Sequence, residues 1–112
     1  MESILTSVKK LLGIAEDYEY FDTDIIMHIN AAFAVLHQVG YGPEDGFRIR
    51  DKTTEWSEYS TDEKTLDIAK DYVYMKVRVL FDAPSNSSLL EAMNRQIAEF
   101  EWRLYAAADT GI

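Results

Sequence analysis

Apolar positions recur at helical spacing over most of this chain. Ile4, Leu5, Val8, Leu11 and Leu12 form such a stripe and predict a short amphipathic helix over residues 2–13, with Gly13 as its stop. The acidic, polar segment 15–24 (AEDYEYFDTD) leads into a second helix over 22–39. Asp22 or Thr23 is placed to cap it, and Asp24 in its first turn suits the positive end of the helix dipole. Its apolar stripe is Ile25, Ile29, Ala32, Phe33, Leu36 and Val39, and Gly40 closes it.

The pattern breaks over residues 40–61. Gly40, Gly42, Pro43 and Gly46 exclude a helix at the start of this stretch. Phe47 and Ile49 alternate with Arg48 and Arg50, which fits either one short strand or two anchors in an extended loop. Trp56 and Tyr59 are the aromatic anchors of the second half. So long a loop in so small a chain is functional or partly ordered rather than idle.

A third helix is predicted over residues 62–82, which contain neither Gly nor Pro. Val73, Met75, Val77, Val79 and Phe81 also alternate as a strand would. Length decides for the helix, because an ordinary strand has roughly five or six residues. The fourth helix is predicted over 87–107, with Ser88 and Glu91 spaced as a capping box. Leu90, Met93, Ile97, Phe100 and Leu104 share one face, and Glu91, Arg95, Glu99 and Arg103 form an i, i+4 ladder nearly opposite. The expected fold is all-α: a compact bundle of about four helices, with a long irregular loop between the second and third, and residues 1–112 as one domain.

Composition narrows the function. Apolar residues are 47% of the chain, too many for disorder despite a net charge of −9. No apolar run approaches the 18 or so residues of a membrane span, and the start lacks the basic leader of a signal peptide, so no membrane role is expected. There is no cysteine, hence no disulfide framework and no thiolate site. The excess of acid (20 Asp and Glu against 11 Lys and Arg) argues against tight binding of nucleic acid through its phosphates.

Site chemistry is thin. His28 and His37 lie nine residues apart on one helix, about half a turn out of phase, and cannot share a metal. The acidic run Glu16, Asp17, Glu19, Asp22 and Asp24 lacks the glycine and glutamate positions of a calcium loop and reads as a solvated segment. Gly40, Gly42 and Gly46 lack the lysine and context of a phosphate loop. No enzyme, cofactor or metal is expected.

The informative signal is surplus apolar surface. Leu66, Ala69, Val73, Val77 and Leu80 define one face of the third helix, and Ile68, Tyr72, Met75 and Val79 a second. A helix apolar on two sides is either sandwiched in its own domain or presented to a partner. On the fourth helix, Ala98, Trp102 and Tyr105 lie away from the Phe100 and Leu104 stripe. The expected core side is Val73, Val77, Leu80, Leu90, Ile97, Phe100 and Leu104. The candidate subunit or partner interface is Tyr72, Met75, Val79, Trp102 and Tyr105.

Residues 72–104, YVYMKVRVLFDAPSNSSLLEAMNRQIAEFEWRL, resemble the C-terminal signature of small head–tail connector proteins of tailed bacteriophages and prophages. Tyr72, Val77, Leu80, Phe81, Pro84, Ile97, Trp102, Arg103 and Leu104 carry the likeness. The earlier stretches LLGI and FDTDIIMHINAAFAVLHQVG are similar as well. The acidic tract at residues 16–24 and the loop around Trp56 depart from the pattern.

The resemblance implies a structural protein of the virion neck, present in the host cytoplasm during assembly. It would form a ring of about twelve copies under the portal protein, closed by a heterologous contact, and receive a downstream head-completion or tail protein. Genomic DNA would pass through without specific binding, since an acidic wall does not grip phosphates. Phe47, Arg48, Ile49, Arg50 and Trp56 are then the candidate loop for contact with the portal or next protein, ordering on contact. The rival readings are another tail-completion or neck protein and, further off, a helical antitoxin-like regulator. The regulator needs a basic recognition helix, whereas Arg48, Arg50 and Lys52 lie in the loop.

Overall fold

The computed structural model describes residues 2–110, and the side chains of residues 2–108. Five helices follow in order: α1 (Ile4–Leu12), α2 (Asp22–Gln38), the single turn α3 (Trp56–Tyr59), α4 (Glu63–Phe81) and α5 (Ser87–Thr110). The four long ones correspond to the four read from periodicity. Among the described residues there is no strand, only an isolated bridge between Ser3 and Glu55. The alternating segment from Val73 to Phe81 is helical.

Local chemistry sets the helix ends. The Ser3 side chain accepts from the Thr6 N–H at 3.2 Å and caps α1, which Gly13 ends in the left-handed conformation (φ 81°). Asp62 caps α4 by accepting from the Lys64 N–H at 3.1 Å. Two expected caps differ. The residue before α2 is Phe21, whose ring has no oxygen to cap with, while Asp22 lies inside the first turn and pairs with an ammonium on α1. The α5 cap is Asn86 rather than Ser88: the helix already begins at Ser87, and the Leu89 N–H donates to Asn86 Oδ1 at 3.1 Å.

α4 occupies the middle, with α2 packed along one side and α5 along the other, while α1 lies across α2 and α4. The described chain is a slab of 41 × 35 × 20 Å. Its core joins Ile4, Leu5 and Val8 of α1, Ile25, Ile29, Phe33 and Leu36 of α2, Ala69, Tyr72, Val73 and Val77 of α4, and Ile97 and Leu104 of α5. The contacts of α4 with both α2 and α5 account for apolar residues on two of its faces.

The stretch 40–61 is a packed part of the molecule instead of a segment awaiting a partner. The Asn30 side chain clasps the backbone of Ile49 on both sides, donating to its carbonyl at 2.9 Å and accepting from its N–H at 2.7 Å. Phe33 gathers Phe47, Trp56 and Tyr59 around its ring, with centroids 5.1, 6.0 and 4.5 Å away. Trp56 Nε1 donates to Ser7 Oγ at 2.8 Å, and the Ile4 N–H donates to the Thr54 carbonyl at 3.0 Å. Phe47 and Ile49 are therefore anchors in an extended loop, the second of the two readings left open by their alternation.

Candidate interaction surfaces

The predicted partner side of the helical hairpin divides in two. Tyr72 is fully buried (0% exposed) and its hydroxyl donates to the Glu101 carboxylate at 2.9 Å, tying α4 to α5. Burial, then the hydrogen bond and charge of Glu101, push its phenol well above the usual tyrosine range. Met75 and Val79 are half-buried against the core. These three belong to the fold, because α5 covers the second face of α4. Leu80, assigned to the core side, is instead 50% exposed, since it sits near the end of α4.

Trp102 and Tyr105 stand apart from that group. They are 67% and 51% exposed, large aromatic side chains left uncovered on the outer side of α5. Burying an aromatic of this size typically removes 150–250 Å² from water, so leaving two in solvent forgoes a large favourable term. Of the expected charge ladder beside them, the Arg103–Glu99 step closes at 2.9 Å. At exposed positions such a pair contributes little to stability.

The loop divides likewise. Ile49 and Trp56 are buried, so neither is free to meet a partner, while Phe47 is half-buried and keeps one side on the groove beside α2. Arg48 and Arg50 point outward, and among the described residues neither forms an ion pair. Beside Arg48, an open groove of about 610 Å³ runs along the outer side of α2. Its walls include Ile26, Met27, Ala31, Ala34 and Phe47. This groove is mainly apolar, with Thr23, Asn30 and His37 also on its wall, although periodicity alone gave no sign of it. The available signal was the alternative stripe Met27, Ala31 and Ala34 on a helix whose core stripe was already complete.

A second surface surrounds the acidic tract. Glu16, Asp17, Tyr18, Glu19 and Tyr20 are exposed as expected, but their backbone is pinned. Lys9, only 2% exposed, donates to the Glu16 carbonyl at 3.0 Å and the Tyr18 carbonyl at 2.8 Å. Its Nζ also lies 2.8 Å from Asp22 Oδ1, an ion pair whose angles fall outside hydrogen-bond geometry, so its strength is Coulombic. Sequence reading missed this residue. The signal was Lys9 lying four residues after Leu5 and three before Leu12, on the stripe itself, with an acidic run just downstream.

No group of three or more potential metal ligands occurs among the described residues, and no helix among them is long and apolar enough to cross a membrane. A family model described as phage connector protein matches residues 4–111, nearly the whole chain. No curated protein and no solved structure matches it.

Proposed function

The chain belongs to the phage connector protein family, and from that premise we propose that it is a ring-forming adaptor, seated on the portal in the virion neck. As a family member it is a structural connector protein. In the proposed assembly about twelve copies form a closed ring, each using two different patches of its surface. The ring receives the downstream head-completion or tail protein on its far side. Residues 1–112 act in it as one unit, and genomic DNA passes through the channel.

One observation carries this reading. Trp102 and Tyr105 remain exposed although the core of the bundle is complete without them. Aromatics of this kind concentrate energy where subunits meet. The outward arginines Arg48 and Arg50 supply a second exposed patch on the loop. The net charge of −9 supports a conduit that does not hold DNA. Nanomolar affinity for duplex DNA at low salt would contradict that part.

The experiment is cryo-microscopy of the protein mixed with its cognate portal. A closed ring on the portal is the expected result. Absence of association, or attachment as isolated copies, refutes the adaptor reading. Sedimentation of the Trp102→Ser, Tyr105→Ser double variant tests the aromatic patch separately, with an unchanged assembly state counting against it.

A further inference from the structure

Resting on the ring reading above, we infer that the groove on α2 is the socket for Trp102 and Tyr105 of the next copy. Ring closure needs two unlike patches on one subunit. Helix geometry turns both outward. Trp102 follows the buried Met93 by nine residues, two and a half turns, so it projects from the side of α5 opposite the buried stripe. Ala34 follows the buried Ile25 by nine residues, and Met27 precedes the buried Leu36 by nine, so both project from the side of α2 opposite its own stripe. α4 packs against both α2 and α5, and the knob and the socket each lie on the side of their own helix turned away from its buried stripe.

The chemistry of the two surfaces matches. The apolar lining of the socket is Ile26, Met27, Ala31, Ala34 and Phe47, with polar Thr23, Asn30 and His37 beside them, and its two alanines leave room for an incoming ring. Met27 is 60% exposed and supplies a thioether for contact with an aromatic edge. Arg48 stands on the groove wall with no ion pair among the described residues. It brings a guanidinium to the indole face. The surface that Trp102 and Tyr105 still expose, 67% and 51% of each side chain, amounts to roughly a quarter to a third of the roughly 800 Å² per partner of a standard interface. Such a contact is weak between free copies and closes when a template raises their local concentration.

The chain has no cysteine, so an engineered pair reports the contact cleanly. Ala34 and Ala98 are exposed alanines, one in the socket and one a helical turn before Trp102. After oxidation at high protein concentration, the Ala34→Cys, Ala98→Cys double variant is expected to give covalent ladders of three or more chains. Each single variant stops at two. Trp102→Ser in the double-cysteine background lowers the ladder at least fivefold, and Trp102→Phe retains it. Circular dichroism of each variant checks that the helices are intact. A ladder no stronger than that of an Ala34→Cys, Asp71→Cys control, or one ending at dimers, overturns the pairing. A ring on the portal without this ladder overturns the socket and leaves the adaptor reading standing. Failure to bind the portal refutes the adaptor while the ladder still reports the contact.

Discussion

Replacing Lys9 by methionine should be the most damaging single change outside the apolar core. The substitution keeps the buried stem and deletes the ammonium, so the Glu16 and Tyr18 carbonyls lose a donor at 3.0 and 2.8 Å and Asp22 loses its counter-charge at 2.8 Å. A hydrogen bond to a charged group contributes about 1.5–3 kcal/mol, and breaking a buried pair costs about 3–5 kcal/mol. Asp22 keeps 23% of its side-chain surface in water, and the loop is free to swing out and rehydrate, which places the cost near the lower end. The expected loss is about 3 kcal/mol, or about 13 °C in Tm for a chain of this size. Urea denaturation at pH 7 measures it, with the midpoint falling by about 1–2 M. Asp22→Asn should cost about 1 kcal/mol, because the two carbonyl bonds survive. Limited proteolysis within residues 15–20 should accelerate in Lys9→Met and stay near wild type in Asp22→Asn. A Lys9→Met variant within about 0.5 kcal/mol of wild type would refute the reasoning, since the loop oxygens would then be equally well served by water.

Four further outcomes follow from the same structure. Gly42 has φ +94°, and a Cβ there would lie 2.8 Å from the Tyr59 hydroxyl oxygen, so Gly42→Ala should cost more than about 2 kcal/mol in chemical denaturation. Tyr59→Phe removes a buried hydroxyl that has no hydrogen-bond partner and should stabilise by up to about 1 kcal/mol. It should rescue Gly42→Ala only in part, because Cε1 and Cζ remain at 2.9 and 3.0 Å. Asn30→Ala leaves both backbone groups of Ile49 unpaired and should cost about 2 kcal/mol, with faster hydrogen exchange at the Ile49 amide. Partial desolvation, then repulsion from Asp67, holds the Asp71 carboxyl above its usual range. The stability that this raised group contributes is present in acid and lost as pH rises through its folded value. Asp71→Asn should therefore stabilise by about 0.3 kcal/mol at pH 7, with the gain vanishing below the carboxylate range in a pH series of thermal melts.

Much of the fold was legible because each long helix carries its own stripe. Ile25, Ile29, Ala32, Phe33 and Leu36 needed no neighbour to declare a buried side, and all five are buried. What was not legible depends on which helix lies next to which. A wheel drawn for α4 alone shows that Tyr72 is apolar on a second side, yet not that α5 brings Glu101 to its hydroxyl. Leu80 sits on the same stripe as Val77 and is left half in solvent. Phe47 and Ile49 announced themselves as anchors, but their partners, Phe33 and the Asn30 amide, come from another element. Lys9 misled because a lysine is read as solvated, whereas here backbone oxygens replace its water.

The clip between the first residues and the loop also bears on the order in which the molecule is built. Trp56 and Ser7 are 49 positions apart, and the Trp56 N–H also donates to the Glu2 carbonyl. Closing so long a circuit costs about 3 kcal/mol in chain entropy before any contact forms. During synthesis α1 meets α2 first, but its seat is complete only once Trp56 has left the ribosome. Its apolar stripe, translated ahead of the elements it packs against, is thus only partly covered until the loop and α4 emerge, and the nascent chain depends on α2 to hold the early core together.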